Sequence, residues 1–352
     1  MKFDASPIWY NKTLHPLSIL LFPLSLIFGA GVFLRRLFYR LGIFKTHRFN
    51  IPVIVVGNIT VGGTGKTPFV IWLSEFLQSQ GFKPGIVSRG IGGKKHSLPH
   101  SVTEEDIADN VGDEAILLLQ NTKCPVVICI DRSAAVNELL RNSDCDIVIS
   151  DDGLQHYGLS RSIEVVMVDG ERKFGNQQLL PAGPLRERVS RIKKADFVVM
   201  HGENENHEYT MQLAPLELVS VINPSHKISF NEFARNKIHV VAGIGHPQRF
   251  FAMLKNAGFE LITHVFPDHH LYQPREMNFS DTLPIIMTEK DAVKCTGFAD
   301  ERYWYVKVGA VLNDSFKQKL QEKLYETKKH IAKSLDHDNC CMRERSARSN
   351  TQ

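Results

Sequence analysis

The chain contains few cysteines, and none of them stand at the paired spacing of a metal site. Six cysteines occur in 352 residues, and three of them lie in or beside apolar, strand-like stretches. Thiols of this kind are usually reduced and buried in cytosolic proteins. The cysteine pattern therefore predicts a reduced, cytosolic compartment for the folded part of the chain.

Strong charge of either sign is also missing. The formal net charge is +4 and the isoelectric point is about 8.6, which is too weakly basic to indicate a nucleic-acid partner. Local basic clusters could still contact an anionic membrane. The length and the ordinary composition permit two modest domains, each with its own core.

Charged residues are absent from a long apolar stretch near the N-terminus. Residues 14–34 contain no Asp, Glu, Lys or Arg, and they are followed by a basic cluster of Arg35, Arg36, Arg40, Lys45, His47 and Arg48. About 20 apolar residues can span a bilayer, although two prolines and two glycines interrupt this run. The pattern predicts a membrane-associated segment over residues 1–48, either spanning the bilayer or lying in its cytoplasmic interface. A helix packed on the protein's own core is the alternative.

The stretch from Ile51 to Pro68 has the pattern of a buried strand, a glycine-rich turn and the start of a helix. Glycines in such a turn let backbone N–H groups converge on phosphate oxygens at a helix N-terminus. The lysine then reaches the β/γ-phosphates of ATP, and the next hydroxyl holds Mg²⁺. The pattern predicts an ATP site formed by Thr60, Val61, Gly62, Gly63, Thr64, Gly65, Lys66 and Thr67.

This motif departs from the strict phosphate-loop pattern at one position, because Thr60 stands where the first glycine is expected. Val61 stands where ATPases that dimerise face to face usually carry a lysine, which argues against that class. The non-functional alternative is a glycine-rich turn with an incidental Lys-Thr pair. The strand before the turn and the helix after it favour the nucleotide site.

A second strand ends in two adjacent acidic residues. The apolar run Cys145 to Ser150 leads directly into Asp151 and Asp152. A carboxylate at the tip of such a strand holds Mg²⁺ directly or through water in the Walker B arrangement. We predict that Thr67, Asp151 and Asp152 hold Mg²⁺, with a polar turn after a strand as the alternative.

Two arginines and two neighbouring polar residues are candidates for phosphate or substrate contacts. Arg89 follows a short strand, at the edge where α/β sheets bind ligands, although a structural ion pair fits the same pattern. Arg186 lies in a Gly- and Pro-containing turn, and its planar charged fork suits phosphate oxygens. Gln155 and His156 directly follow the Walker B aspartates and complete the set.

Acidic residues and histidines in two other places carry more than one interpretation. Asp113 and Glu114 open a predicted helix, where acids often complement the helix dipole. Asp268, His269 and His270 follow another predicted strand. They could hold a metal, form a surface histidine pair, or include a catalytic or orienting histidine; consecutive histidines tend to point different ways, and no further spaced His or Cys set supports a metal.

The order of these elements predicts an α/β fold. Strands and helices alternate from about residue 51 to 200, which indicates a phosphate-loop NTPase-like, mainly parallel sheet with helices on both faces. We predict a kinase-type domain over 49–210 and a smaller α/β domain over 211–334. The polar tail 335–352 is predicted to be disordered.

Eight motifs in this order resemble the tetraacyldisaccharide 4'-kinases of lipid A biosynthesis. They are Val56-Gly-Asn-Ile-Thr-Val-Gly-Gly-Thr-Gly-Lys-Thr-Pro68, Ser88-Arg-Gly90, Val111-Gly-Asp-Glu114, Asp151-Asp-Gly-Leu-Gln-His156, Leu180-Pro-Ala-Gly-Pro-Leu-Arg-Glu187, Ala242-Gly-Ile-Gly245, Phe266-Pro-Asp-His-His270 and Met287-Thr-Glu-Lys-Asp-Ala-Val-Lys294. Two positions are atypical: Ile91, where the family usually has Tyr, and Leu154, where it usually has Phe. Both changes are apolar and concern packing or stacking.

The resemblance implies an ATP- and Mg²⁺-dependent kinase at the cytoplasmic face of the Gram-negative inner membrane. Its acceptor would be the 4'-hydroxyl of a tetraacylated glucosamine disaccharide 1-phosphate, and its product lipid IVA. By resemblance, Asp113 and His269 form a catalytic dyad, although the sequence leaves open whether His269 or His270 faces the site. Such a substrate stays in the bilayer, which explains a membrane-associated N-terminus.

Two other functions would use parts of the same sequence. A phosphate-loop ATPase that recruits a partner to the membrane would use the nucleotide residues without needing Asp113 or His269. A metal-dependent phosphoesterase built on Asp268, His269 and His270 would leave the phosphate loop without a purpose.

Overall fold

The computed structural model describes residues 6–11, 15–94, 96–202, 207–233 and 237–349. Helices α1 to α9 span Ser6–Trp9, Pro16–Arg40, Lys66–Ser79, Ala108–Val111, Asp113–Thr122, Arg132–Asn142, Pro247–Asn256, Glu289–Ala292 and Asp314–Ser349. Strands β1 to β13 span Val53–Gly57, Pro84–Ser88, His100–Ser101, Val126–Ile128, Ile147–Ser150, Ile163–Asp169, Phe197–His201, Thr210–Ser220, Lys227–Ile228, Lys237–Ala242, Glu260–Val265, Ile285–Thr288 and Tyr303–Leu312.

These strands form one continuous sheet in the order β11-β10-β12-β13-β8-β7-β6-β1-β5-β2-β4-β3, with β9 on β8. Most neighbours are parallel; the antiparallel pairs are β13 with β8, β8 with β9 and β3 with β4. This confirms the predicted mainly parallel α/β fold. The carboxyl ends of β6, β1, β5 and β2 therefore meet at one edge of the sheet, where ligands bind in open α/β folds.

Helices cover both faces of β1. The side chains of Ile54 and Val56 pack with Phe69 and Leu73 of α3, whereas Val53 packs on the opposite face with residues of α6. Alternate residues of a strand point to opposite faces. Burial on both sides explains why the whole strand is apolar.

The predicted boundary near residue 210 falls at the start of β8, which the two halves share. Met200 and His201 of β7 pair with the first residues of β8, and the rest of β8 pairs with β13. The start of α9, which the sequence assigns to the smaller domain, packs on the first half instead, because Phe316 contacts the rings of Phe69 and Phe197. The domain division itself stays a prediction.

Helix α2 carries the apolar run near the N-terminus. It is long and apolar enough to cross a membrane, and large side chains such as Leu20 and Ile27 are 73% and 70% exposed. Its two buried residues are polar: Ser25 donates to the Leu179 carbonyl at 2.8 Å, and Ser18 accepts from Asn176 at 3.2 Å. The alternative of a helix packed by its apolar residues on the protein's own core is therefore wrong for the described part of α2.

Two predicted segments extend beyond the described residues. Of the N-terminal segment 1–48, residues 1–5 and 12–14 lie outside them, as do residues 350–352 of the tail. The structure continues α9 to Ser349, whereas the sequence predicts a disordered tail from residue 335. Residues 335–349 contain neither Pro nor Gly, the two residues that most strongly oppose a helix, so the helical hydrogen-bond pattern can continue through this polar sequence.

Candidate active site

The phosphate loop lies between the end of β1 and the start of α3, as the sequence predicts. Helix α3 begins at Lys66, and its cap Gly65 has φ +83°. A Cβ at Gly65 would come 2.7 Å from Nδ1 of His201 and 2.8 Å from Cε of Met211. This position therefore requires glycine for both its backbone conformation and its close packing.

Thr60 does not need to be glycine. It forms an antiparallel bridge with Leu185, a conformation open to any residue, and the next residue, Val61, donates its N–H to the Pro184 carbonyl at 2.8 Å. The Pro- and Gly-containing turn around residues 180–187 thus supports the first part of the loop. This contact explains the departure from the strict motif.

Lys66, Asp152 and Arg186 form an ion cluster beside the loop. The ammonium of Lys66 lies 3.4 Å from Oδ1 of Asp152, and Arg186 donates to both oxygens of that carboxylate at 3.1 and 3.0 Å. Burial alone would raise the pKa of Asp152, but Lys66 and Arg186 outweigh it and hold the pKa below its usual range. Asp152 is therefore ionised and fixed by two cations.

Asp151 has a different environment, although it is the adjacent residue. It is buried at the end of β5, and Ser88 donates to its Oδ2 at 3.4 Å. Its Oδ1 has no hydrogen-bond partner among the described residues. Burial, followed by the nearby charges of Glu114 and Asp152, raises the pKa of Asp151 to about 7. A buried carboxylate oxygen that lacks a donor and faces other acids fits a bound cation.

Asp113 and His269 come together from two halves of the chain. Asp113 is the first residue of α5 and is buried, and its Oδ1 accepts the N–H of Glu114 at 2.9 Å. His269 has φ +58° in the turn after β11, and its Nδ1 lies 3.1 and 3.0 Å from the two oxygens of Asp113. His270 points elsewhere, because its Nε2 lies 3.0 Å from Oε2 of Glu276.

The pair shifts the pKa of each member. Burial alone would raise the pKa of Asp113. The hydrogen bond from His269 and the charges of Lys290 and Lys294 outweigh burial, so the pKa lies below its usual value. Burial likewise lowers the pKa of His269, and the hydrogen bond to Asp113 reverses this to a net increase. Asp113 is therefore a carboxylate at neutral pH.

Lys290 contacts His269 and was not among the site residues predicted from the sequence. Its ammonium lies 3.3 Å from Nε2 of His269, 3.2 Å from Oε1 of Glu114 and 3.3 Å from Oδ1 of Asp268. An ammonium beside Nε2 makes that nitrogen the acceptor, so the proton of neutral His269 stays on Nδ1, facing Asp113. The signal was available in the Met287 to Lys294 motif, where lysines stand four residues apart.

The second of these lysines also faces Asp113. Lys294 lies 3.7 Å from Oδ2 of Asp113 and 2.9 Å from Oδ1 of Asp291. Lys290 lies in α8 and Lys294 in the turn that follows it. Their charges add to the hydrogen bond from His269 in lowering the pKa of the buried Asp113.

The three other residues predicted from the sequence to contact phosphate or substrate have different environments. Arg89 is exposed just beyond the end of β2, at the ligand edge of the sheet. Gln155 accepts from Arg186 at 3.4 Å and donates to Oε1 of Glu187 at 3.1 Å, so it orients the ion cluster. His156 instead lies 3.4 Å from the helix-cap Asp131, and burial, with the charge of Arg132, lowers its pKa to about 4.

A cavity of about 460 Å³ opens between the phosphate loop and the C-terminal half of the chain. Gly63 to Thr67 form one part of its wall, together with Glu114, Asp268 and Lys290. Apolar side chains form much of the rest: Ile71, Leu117, Ile244, Phe250, Met253 and Val306. A polar end beside a phosphate loop and a largely apolar remainder suit a nucleotide.

The family model described as Tetraacyldisaccharide-1-P 4'-kinase matches residues 17–325 of this sequence. The chain belongs to this family. Relatives named Tetraacyldisaccharide 4'-kinase are similar over most of their length. The protein of Coxiella burnetii (strain RSA 331 / Henzerling II) is 48% identical over 315 residues, covering 89% of this chain and 92% of the relative. That of Methylobacillus flagellatus is 47% identical over 318 residues, covering 90% and 94%.

A solved structure of the same family has the same fold. The crystal structure of LpxK from Aquifex aeolicus, described as an "apo" form in complex with ATP, has a TM-score of 0.74 and 26% sequence identity to this chain. The match covers 88% of this chain and 99% of that one. These matches confirm the resemblance that the eight motifs carry, and with it the predicted kinase family and fold.

Proposed function

We propose that the chain transfers the γ-phosphate of ATP to the 4'-hydroxyl of a tetraacyldisaccharide 1-phosphate, forming lipid IVA in lipid A biosynthesis. Membership of the 4'-kinase family supports this reaction. The observation that carries its mechanism is the contact of Asp113 with His269 beside the cavity that the phosphate loop lines. A phosphate cradle positions the group that is transferred, and a carboxylate can accept the proton of the attacking alcohol.

ATP would bind with its phosphates on the backbone from Thr60 to Thr67. The related Aquifex aeolicus protein was crystallised with ATP, which supports the same ligand here. Lys66 would turn from Asp152 towards the β/γ-phosphates, and the adenine base of ATP would occupy the apolar part of the cavity. The start of α3 at Lys66 adds a helix N-terminus directed at the phosphates.

The donor set fits Mg²⁺. Asp151 has a buried oxygen with no partner among the described residues, Thr67 lies in the cavity wall, and Asp152 is ionised. Mg²⁺ usually takes one or two carboxylates together with substrate phosphates, so Thr67, Asp151 and Asp152 would hold it. When bound, the ion neutralises charge on the transferring phosphate.

Asp113 would accept the proton of the attacking hydroxyl. Its carboxylate is ionised and buried, and His269 holds it through Nδ1. Lys290 fixes the tautomer of His269 from the other side, so the imidazole presents a donor and leaves the carboxylate as the acceptor. Arg186 would contact phosphate oxygens once Lys66 or Mg²⁺ also binds the carboxylate of Asp152. The exposed Arg89 is the candidate for binding the 1-phosphate of the lipid substrate.

Helix α2 would bring the enzyme to its lipid substrate at the cytoplasmic face of the inner membrane. Its exposed apolar side chains match a lipid surface, and the basic residues that follow match anionic headgroups. Arg36 at its C-terminal part lies 3.3 Å from Oε2 of Glu187, the residue after Arg186. A membrane-bound α2 would therefore place the ion cluster close to the bilayer.

The test is transfer of label from γ-labelled ATP to a tetraacyldisaccharide 1-phosphate in detergent with Mg²⁺. We expect labelled lipid in the wild type and a strong loss in Asp113→Ala that still binds ATP. Asp109→Asn, an exposed acid on the preceding helix α4, is the matched control and should be fully active. ATP consumption that needs no lipid acceptor would instead favour a membrane-recruiting ATPase.

A further inference from the structure

Arg249 links the C-terminal half of the chain to the phosphate-loop half. It lies on α7, which follows β10, and its side chain reaches the carboxyl ends of β6 and β7. Its Nη2 donates to Oδ1 of Asp169 at 2.9 Å, and its Nη1 lies 3.2 Å from Nδ1 of His201. One guanidinium thus contacts two strand ends of the other half.

Asp169 is a fixed partner for this arginine. It is buried at the end of β6, and its Oδ1 also accepts the N–H groups of Glu171 and Arg172 at 3.0 and 2.9 Å. These backbone bonds hold the carboxylate in one orientation. A planar fork such as guanidinium can contact Asp169 and His201 at the same time, whereas an ammonium provides one point charge.

His201 carries the contact onward to the phosphate loop. It is buried, and burial, followed by the charge of Arg249, lowers its pKa to about 4. Neutral His201 therefore faces the guanidinium with an unprotonated Nδ1 and carries its proton on Nε2. Its ring lies where a Cβ of Gly65 would be, with Nδ1 2.7 Å from that position, and both His201 and Thr64 line the cavity.

We infer that Arg249 is a positioning residue for ATP binding: through His201, which packs against Gly65, it holds the phosphate loop in the conformation that binds phosphates. The second half of the chain thereby controls the loop at a point separate from the Asp113–His269 contact. Gly245, just before α7, would bring a Cβ within 2.9 Å of the backbone N of Gly63, so the two halves also meet at the loop itself. This inference rests on the phosphate loop as the ATP site and does not depend on the identity of the lipid acceptor.

The test measures ATP binding to the purified full chain without lipid, and separately the KM for ATP and for the lipid. Removal of a charged hydrogen-bonding group that orders a site typically costs about tenfold or more in affinity. We expect Arg249→Gln to weaken ATP binding and raise the KM for ATP about tenfold, with the KM for lipid nearly unchanged. Arg249→Lys should be intermediate, and Lys255→Gln, which removes a charge from the exposed last turn of α7, should match the wild type.

A double-mutant cycle tests the route through His201. Combining Arg249→Gln with His201→Asn should weaken ATP binding no more than the stronger single change, because both remove the same support. Arg249 also lines the cavity, so multiplied effects would mean that it acts on ATP by direct contact, and would overturn the inference. Wild-type ATP affinity in an Arg249→Gln variant with an unchanged melting temperature would also overturn the inference. If the wild type bound ATP but labelled no lipid, the proposed function would fail while this test still gave an answer.

Discussion

Replacement of Asp113 by asparagine separates proton acceptance from the other roles of this side chain. Asparagine has nearly the same shape, and its carbonyl oxygen can still accept the N–H of Glu114, now 2.9 Å from Oδ1. It cannot accept a proton from a hydroxyl, and it removes the charge that lies 3.0 Å from His269 and 3.7 Å from Lys294. We expect turnover to fall by about 100- to 10,000-fold, the usual contribution of a general base.

Replacement of His269 by glutamine should have a smaller effect. It removes one charge-assisted hydrogen bond to Asp113, and such bonds contribute about 1.5 to 3 kcal/mol. If that energy is lost only in the transition state, turnover falls by about 10- to 150-fold. Because His269 acts through Asp113, the double variant should be no slower than Asp113→Asn alone.

The assay is lipid phosphorylation at saturating ATP and lipid, with ATP affinity measured separately. Among the described residues that form the cavity wall, Glu114 is present and Asp113 is not, so ATP affinity should change little in all three variants. A double variant slower than Asp113→Asn by the full factor of the histidine change would refute the reasoning. His269 would then act on the substrate directly.

Three further predictions concern pH, the phosphate loop and the membrane. The pKa of His269 is raised in the folded protein, so its contact with Asp113 stabilises the fold below the ordinary histidine pKa of about 6.5. This stabilisation is lost as pH rises through the folded pKa. In urea unfolding, His269→Gln should therefore lose more stability at about pH 6 than at about pH 9. Gly65→Ala should abolish measurable ATP binding, because its Cβ would lie 2.7 Å from Nδ1 of His201 and the position has φ +83°; unchanged binding would refute the loop geometry. Leu20→Asp combined with Ile27→Asp should release the protein from anionic vesicles in a flotation assay, because both side chains are exposed on α2 and a charge there opposes burial in lipid; continued flotation would show that another surface binds the membrane.

The local elements of the nucleotide site were predictable from sequence. The strand β1, the turn with Gly65 and the helix starting at Lys66 are adjacent in the chain, and each follows from residue type and spacing. The same holds for Asp151 at the tip of a strand. The family was predicted from the resemblance of eight motifs in a fixed order and not from the local chemistry of any one motif.

Contacts between distant segments were not predictable in the same way. From the sequence we predicted that α9 belongs to the smaller domain. In the structure, Phe316 of α9 packs on Phe69 of the first half, because a helix at the end of the chain can cover any apolar surface it reaches. The roles of Lys290, Arg249 and His201 were missed, since each depends on a partner far away in sequence. The two neighbouring aspartates could not be distinguished from the sequence, yet within the described part of the chain two cations pair with the side chain of Asp152 and none with that of Asp151.

By itself, the sequence determined the kinase family, the phosphate loop and an apolar N-terminal helix, because glycine conformation, strand burial and helix periodicity act over a few residues. Only the tertiary structure decided that His269, and not His270, faces Asp113. That contact joins residues 156 positions apart and depends on the left-handed backbone of His269 at φ +58°. The turn after β11 sets this conformation, and the meeting of the two halves of the sheet brings it to α5.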